Sequence, residues 1–195
     1  MLDYTRALPD EVVDRVVVRV TFLRMNRRPA RPLTVLPQGF ILRAERLDTK
    51  AYRQIYDAVG TPWLWWLRRM MPDELLRQHL ANPAVRVYVL RKDGAVRGFF
   101  ETDASHWPDV NLNYFGLVPE EIGHGLGKML LDAAIDAVFL RTPGLHGMTL
   151  NTCTADHPRA LPNYLAAGFQ EVRHVREVWD IPRRLGFKIP EHLRR

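Results

Sequence analysis

Three glycines at alternate positions, between a strand-like and a helix-like segment, restrict the fold of this chain most strongly. Residues 110–118 combine branched and aromatic side chains, which favours a strand, and Pro119 ends it. Gly123, Gly125 and Gly127 follow. After them, apolar residues recur at helical spacing: Leu126, Met129, Leu130, Ala133, Ala134 and Ala137. The predicted order is therefore strand, glycine loop and helix.

A junction of this kind can bind an anion. The first turn of a helix has unpaired N–H groups and the positive end of the helix dipole, and glycines let a phosphate approach that backbone closely. The alternative is a glycine-rich turn that only packs a helix on a sheet, and the spacing alone leaves both open. Two known phosphate motifs are excluded. The P-loop needs Ser or Thr where Met129 stands, and the dinucleotide pattern needs a third glycine where Lys128 stands.

Composition predicts a single cytoplasmic domain. With 195 residues and 47% apolar residues, the chain can bury a sizeable core. It has no apolar run of 18 residues and no secretory signal at its start, so we expect no membrane association. One cysteine excludes an internal disulfide framework. We expect Cys153 to be a small core or pocket-wall residue and not a nucleophile.

The net charge of +6 comes from 24 Arg and 4 Lys against 22 acidic residues. Basic residues are conspicuous in 24–31 and 183–195, but others are spread along the chain and no nucleic-acid motif accompanies them. We therefore expect an ordinary solvated basic surface, which would also attract an anionic cofactor, and consider nucleic-acid binding unlikely.

Hydrophobic periodicity and turn signals predict an alternation of strands and helices. Strands are predicted at 12–24, 40–47, 85–91, 95–102, 110–118, 148–154 and 170–181, and helices at 50–59, 72–81, 126–141 and 156–167. Residues 1–182 would form one domain, with 1–39 as an N-terminal extension, and 183–195 would be a basic tail of uncertain order. A right-handed crossover should make 110–118 and 148–154 parallel neighbours.

The glycine loop resembles the acyl-CoA loop of the GNAT superfamily of N-acyltransferases, Gln/Arg-x-x-Gly-x-Gly/Ala. Gly125 and Gly127 occupy its two small positions, whereas Ile122 stands where Gln or Arg is usual. A second motif of the family, a strand and a short helix ending in Tyr-x-x-x-Gly-Phe, is similar to residues 148–169. Its landmarks are Ala160, Tyr164, Gly168 and Phe169, with His157 where the family often has Asn.

The resemblance implies an α/β fold of the GNAT type: a twisted mixed sheet with helices on both faces, in which two parallel central strands splay apart. It implies transfer of an acetyl group from acetyl-CoA to a primary amine of a small-molecule or peptide acceptor, by direct attack in a ternary complex. The alternative is a non-enzymatic acyl-CoA-binding or regulatory domain on the same fold. A homodimer is possible.

The resemblance also assigns cofactor-binding positions. The pyrophosphate would contact the loop backbone, and the amides of Leu117 and Val118 would stabilise the oxyanion. The side chains of His124 and Lys128 could contact phosphate or simply face water, and His157 could cap a helix, contact the cofactor or do neither. The loop positions concerned are Gly123, His124, Gly125, Leu126, Gly127 and Lys128.

For catalysis, Tyr164 aligns with the general acid of the family, since an unperturbed tyrosine is protonated at pH 7. The alternative is a tyrosine that only packs on the sheet. On the central strand, Asn111 and Asn113 cannot usefully accept a proton, so Glu101 on the preceding strand is the first candidate for the general base, acting through a water. Otherwise Glu101 is an exposed strand-end carboxylate, and the weaker candidates for the base are Asp103, His106 and Glu120.

Three tryptophans within four residues, Trp63, Trp65 and Trp66, indicate either a packing cluster or the wall of a substrate pocket. Packing is the default interpretation. The family resemblance gives some support to the interpretation as a pocket wall, because the first helices of that fold commonly shape the acceptor site.

Overall fold

A computed structural model describes residues 3–142 and 144–194. Over these residues seven strands form one mixed sheet in the order β2-β3-β4-β5-β6-β1-β7. The strands are β1 Val13–Met25, β2 Phe40–Glu45, β3 Val85–Lys92, β4 Ala95–Asp103, β5 Asp109–Leu117, β6 Gly147–Cys153 and β7 Gln170–Pro182; the helices are α1 Thr49–Gly60, α2 Leu67–Met70, α3 Asp73–Ala81, α4 Leu126–Arg141 and α5 Ala160–Ala166. The predicted α/β architecture is confirmed, and α2 is an addition to it.

Local sequence explains the start of α1. The side chain of Asp48 accepts a hydrogen bond from the amide of Ala51 at 2.7 Å and so satisfies one of the unpaired donors of the first turn. The predicted apolar face of this helix is buried: Tyr52, Ile55, Tyr56 and Val59.

Helices cover both faces of the sheet. Phe99 and Phe100 are adjacent on β4 and therefore point to opposite faces. Phe99 packs with residues of α1 and α3. Phe100 belongs to the larger core, which contains α4 and α5. Both aromatic side chains are fully buried, so the sheet separates two apolar layers.

The parallel neighbours β5 and β6 separate towards their carboxyl ends. They pair from Asp109 to Leu112 on β5 and from Gly147 to Leu150 on β6. Beyond these residues the described parts of the two strands make no ladder contacts with each other. The register of β5 with β4 shifts at the same point, so that Asn113 is an extra, bulged residue. The predicted splayed pair is therefore present, and a gap opens between its arms.

The N-terminal strand occupies an interior position that the sequence did not predict. β1 lies between β6 and β7 and pairs antiparallel with both. The C-terminal segment packs beside it, because Ile189 and Leu193 are buried in the same cluster as Val16. Residues 183–194 are therefore attached to the sheet along β1.

The basic segment 24–31 differs from the expected solvated surface. Arg24 forms an ion pair with Asp109, and Arg28 and Arg31 form ion pairs with Asp136 on α4. The side chains of Arg28 and Arg31 are only 19% and 20% exposed. For these arginines the expectation was wrong, since Arg24 joins β1 to β5 and the charges of Arg28 and Arg31 attach the β1–β2 connection to α4.

Within the described part of the chain, no helix has both the length and the hydropathy that a membrane span requires.

Candidate active site

A cavity of about 1440 Å³ occupies the gap between β5 and β6 and continues under the loop that joins α1 to α2. Its walls include the exposed edge of β5, the glycine loop, the tryptophan segment and part of β7. Typical small-molecule sites measure about 300–1,000 Å³. This cavity therefore has room for an extended cofactor and a second reactant.

The edge of β5 presents backbone donors to the gap. The amide of Val118 donates to the carbonyl of Arg97 at 3.0 Å and thus faces β4. Because amides alternate in direction along an antiparallel strand, the preceding amide, that of Leu117, faces the gap. Of the two amides predicted to stabilise an oxyanion, that of Leu117 is directed towards the cavity, whereas that of Val118 already has a protein acceptor.

The glycine loop leads directly into α4. Gly123 and Gly125 have positive φ angles of 95° and 79°, a conformation that other residues rarely adopt, and Gly125 is the N-cap of the helix. A Cβ atom at either position would meet nothing within 4 Å. At Gly127 a Cβ would meet only the side chain of Leu117, at 3.7 Å. The backbone at the positive end of α4 is therefore open to a ligand.

The side chains of the loop differ in their surroundings. Leu126 is buried in the core, so only its backbone could bind a ligand. His124 is exposed, and Lys128 is 77% exposed and pairs with Asp132 at 2.7 Å. His157 accepts a hydrogen bond from the amide of Arg159 at 3.0 Å through Nδ1, and so caps the turn before α5.

Tyr164 is buried and lines the cavity. Its ring contacts the rings of Phe115 and Phe169, and its hydroxyl forms no hydrogen bond with the described residues. Burial raises the pKa of Tyr164 well above its usual value, and the negative charge of Asp156 adds to the effect. At neutral pH the phenol therefore keeps its proton and presents it to the cavity.

The three tryptophans both pack and line the cavity. Trp66 is buried and lies 6.3 Å from the ring of Trp179, measured between centroids. Trp65 packs against Tyr56 and Tyr114, at 5.4 and 5.1 Å. The rings of Trp63 and His157 form a T-shaped contact with centroids 5.0 Å apart. The two interpretations made from the sequence are therefore compatible.

Glu101 is fully buried, so its interpretation as an exposed carboxylate is wrong. Burial would raise its pKa, but the hydrogen bond from His79 and the charge of Arg68 outweigh burial and lower the pKa to about 2. Glu101 is therefore ionised, one layer behind the cavity wall. Its four donors are Tyr52 Oη at 2.5 Å and Arg68 Nη2, His79 Nε2 and Asn113 Nδ2, each at 2.9 Å.

A chain of hydrogen bonds connects β6 to this carboxylate. Thr149 Oγ1 donates to Asn111 Oδ1 at 2.9 Å, and Asn111 Nδ2 donates to Asn113 Oδ1 at 2.6 Å. Asn113 then donates to Glu101. The two asparagines that cannot act as a base thus orient donors towards Glu101 at the point where β5 leaves β6.

Among the charged or titratable residues of the cavity wall, sequence reasoning missed Arg68, His79 and Asp156. Asp156 accepts hydrogen bonds from Thr152 Oγ1 and from the amide of Cys153, and burial raises its pKa. Its position just after a predicted parallel strand could have indicated it, since functional residues collect at such strand ends. No local signal marks Arg68 or His79.

Cys153 also lines this cavity, as expected for a pocket-wall residue. Burial raises the pKa of its thiol to about 12. The thiol is therefore protonated at neutral pH, which makes it a poor nucleophile.

Comparison with known proteins identifies the family. The sequence model of the Acetyltransferase (GNAT) family matches residues 52–169, more than half of the chain. The chain therefore belongs to the GNAT acetyltransferase family. No curated protein matches the chain.

Solved structures share the fold. A GCN5-related N-acetyltransferase from Sphaerobacter thermophilus is 18% identical, with a TM-score of 0.60 over 87% of this chain and 54% of that one. A tandem GNAT protein from clavulanic acid biosynthesis is also 18% identical, with a TM-score of 0.59 over 87% and 55%. This chain thus spans about half the length of either.

A third structure is closer in length. The ribosomal-protein-S18-alanine N-acetyltransferase from Escherichia coli is 17% identical, with a TM-score of 0.55 over 79% of this chain and 98% of that one. At such sequence identities, the similarity to these structures shows a shared fold and does not indicate which acceptor this chain uses.

Proposed function

We propose that this protein transfers an acetyl group from acetyl-CoA to a primary amine, by direct attack within a ternary complex. One observation carries the proposal: the gap between β5 and β6 joins the open N-terminus of α4 to a buried, protonated Tyr164 within a single cavity. Family membership supports the same reaction.

Acetyl-CoA fits the polar groups of the gap. The backbone from Gly123 to Lys128 would bind the pyrophosphate at the positive end of α4, where no Cβ obstructs its approach at Gly123 or Gly125. The absence of a Gln or Arg side chain at Ile122 leaves the backbone donors in place. Lys128 and His157 line the cavity and His124 lies between Gly123 and Gly125, but the contacts of these three side chains with the cofactor stay predictions.

The chemistry needs a neutral amine, donors for an oxyanion and a proton for the leaving thiolate. The amide of Leu117 supplies a donor directed into the gap. Tyr164 would protonate the thiolate and regain a proton from the ammonium of the tetrahedral intermediate. Glu101 stays our prediction for the carboxylate that assists deprotonation of the amine, from its buried position behind the wall.

The acceptor would bind beside the aromatic wall that Trp63, Trp65 and Trp66 contribute. This wall favours an amine with an apolar or aromatic body, because flat rings bury such groups efficiently. A small molecule and a peptide side chain both meet this description.

The proposal is tested by measuring CoA release from acetyl-CoA with a panel of primary amines: an arylalkylamine, a linear diamine and a lysine-containing peptide. We expect at least one amine to raise CoA release above the rate of hydrolysis, with mass spectrometry showing the acetylated amine. Saturable binding of acetyl-CoA without turnover of any amine would instead favour the non-enzymatic acyl-CoA-binding alternative.

A further inference from the structure

We infer that His79 is the general base of the proposed reaction and that Glu101 is the positioning residue that orients it. The inference rests on the proposed acetyl transfer, and it assigns a catalytic residue that neither glycine-loop nor tyrosine motif indicates. The imidazole lines the cavity, and its Nε2 lies 2.9 Å from Oε1 of Glu101.

Glu101 cannot reach a substrate itself. Its side chain is 0% exposed and is absent from the cavity wall, whereas three of its four donors, His79, Arg68 and Asn113, form part of that wall. A carboxylate that already accepts four hydrogen bonds is stabilised as an anion and has little tendency to take a proton. Any effect of Glu101 on a reactant must therefore pass through one of these donors.

Among those donors only His79 can act as a base. A guanidinium stays protonated in proteins, and the Asn113 amide nitrogen is a donor without basicity. Imidazole, in contrast, exchanges its proton between about pH 5 and 8 and can accept one from an ammonium. The side chain of His79 is 15% exposed, so a reactant in the cavity can touch it.

The hydrogen-bond network determines the tautomer. Nη2 of Arg68 lies 2.9 Å from both Oε1 of Glu101 and Nε2 of His79, but it can only donate. Oε1 of the carboxylate can only accept, so its contact of 2.9 Å with Nε2 requires a proton on Nε2. His79 is therefore assigned the Nε2–H tautomer, with Nδ1 as the basic atom. Among the described residues, Nδ1 has no hydrogen-bond partner.

The surroundings keep this arrangement in place. The charged and titratable groups that face the imidazole are Glu101 from β4 and Arg68 from α2, with Tyr52 from α1 bonded to the same carboxylate. Asp103 and His106 lie on the same cavity wall. Arg68 and Glu101 therefore place opposite charges beside the imidazole.

In the proposed reaction, each proton that leaves the ammonium group has an acceptor. Nδ1 of His79 removes one proton from the ammonium form of the acceptor, directly or through one water. The neutral nitrogen attacks the thioester carbon, so that a C–N bond forms and, on collapse, the C–S bond breaks. Tyr164 gives its proton to the thiolate and takes the second ammonium proton. His79 then releases its proton to solvent.

The test compares His79→Gln with wild type, using the amine from the panel that gives the highest turnover. The Gln side-chain amide can still donate to Glu101, so the fold and acetyl-CoA binding should be preserved while the base is lost. We expect kcat to fall about 10²-fold or more and the rise of kcat/KM between about pH 6 and 8 to disappear. Imidazole added to His79→Ala should restore part of the activity.

Two control variants are measured together with His79→Gln. His192→Gln changes an exposed histidine outside the cavity that contains His79, and should leave the rate and pH profile unchanged. His106→Gln changes a second histidine on the cavity wall and should preserve the rise with pH. If His106→Gln removes that rise and His79→Gln does not, the assignment of His79 is wrong.

The tautomer of His79 in the His79–Glu101 pair can also be measured by NMR, without any turnover. In ¹⁵N-histidine spectra of the acetyl-CoA complex at pH 7.5, His79 should show the neutral Nε2–H tautomer, identified by the loss of its signals in His79→Gln. The Nδ1–H tautomer would overturn the proposed dyad. Absence of turnover by wild type with every amine would overturn the proposed function, and the role of a base with it.

Discussion

At the scale of single residues, burial determines what each polar side chain of the site can do. Tyr164 and Glu101 are both buried, but their neighbours differ. Tyr164 has apolar rings around it and the nearby charge of Asp156, so its proton is retained. Glu101 has four donors, so its charge is retained. The site therefore contains a neutral proton donor, Tyr164, and a permanent anion, Glu101. Both side chains are buried, and their different neighbours determine which form each one takes.

Tyr164→Phe should lower kcat with little effect on the fold. The hydroxyl has no hydrogen-bond partner among the described residues, so its removal leaves no buried group unpaired. We expect kcat to fall about 10²-fold, while the affinity for acetyl-CoA, measured by calorimetry, changes less than about threefold. A variant that retains the full rate would show that the leaving thiolate does not depend on this phenol.

Some of these residues could be predicted and others could not. Gly125, Gly127 and Tyr164 belong to short motifs, in which function depends on near neighbours in sequence. Glu101 was our first candidate for the base, but the alternative of an exposed strand end could not be excluded from the sequence, because the donors to its carboxylate are 49, 33, 22 and 12 residues away. No local pattern reveals that α1, α2, α3 and β5 each direct a donor to one carboxylate.

At the scale of elements, one carboxylate on α4 attaches the long β1–β2 connection. Oδ1 of Asp136 accepts from Arg28 Nε at 2.7 Å, and Oδ2 accepts from the amide of Thr34 at 2.9 Å. Arg31 donates to the same carboxylate and to the carbonyl of Asp132. The connection therefore lies along the helix whose N-terminus forms the proposed phosphate site.

Asp136→Asn should destabilise the protein by about 3 kcal/mol, because Arg28 loses its counter-charge and Arg31 keeps only that of Asp132, at 3.3 Å. The measurement is the urea midpoint, compared with that of Asp93→Asn in the exposed β3–β4 turn, where Asn accepts the observed positive φ of 51°. We expect the control to stay within about 0.5 kcal/mol of wild type. Equal midpoints for the two variants would mean that these ion pairs contribute nothing to stability.

The predictions for elements were more successful than those for their arrangement. The parallel pair β5–β6 follows from a helix between two strands, and the structure confirms it. The interior position of β1 between β6 and β7 was not predicted, because a strand read alone does not reveal its partners. Arg24, Arg28 and Arg31 were misinterpreted for the same reason, since their acidic partners are about 85 to 108 residues away.

At the scale of the whole molecule, two buried or partly buried carboxylates should determine stability in acid. The pKa of Glu101 is lowered from 4.5 to about 2, and that of Asp136 from 3.8 to about 2. In both cases burial opposes the shift, and hydrogen bonds and neighbouring positive charges outweigh it. Each group therefore stabilises the folded state above its unfolded pKa and loses that contribution as pH falls towards about 2.

We expect the urea midpoint of wild type to fall progressively from about pH 5 to pH 2. For Glu101 the expected contribution is about 3 kcal/mol, since one pKa unit corresponds to about 1.4 kcal/mol. Glu101→Gln should be less stable at pH 7, because Arg68 loses its counter-charge, but should depend less steeply on pH. A variant with the same acid slope as wild type would contradict the assigned pKa.

The acceptor is the property of the whole molecule that sequence predicts least. The cavity wall includes the α1–α2 segment, α3, β1, β5, β7 and the turn after β6. Its shape depends on how these separated parts of the chain pack, whereas the cofactor loop is one continuous segment. The family could therefore be predicted from motifs, and the acceptor must come from experiment.

Binding of acetyl-CoA at the N-terminus of α4 is the central claim, and calorimetric titration at moderate salt tests it most directly. Wild type should bind acetyl-CoA and CoA saturably. Gly127→Gln adds bulk and Gly127→Glu adds bulk and a negative charge at a position where a Cβ itself meets only an ordinary contact. We expect weaker binding by Gly127→Gln and none by Gly127→Glu, with both variants folded. No binding by wild type, or equal binding by all three proteins, would contradict the account.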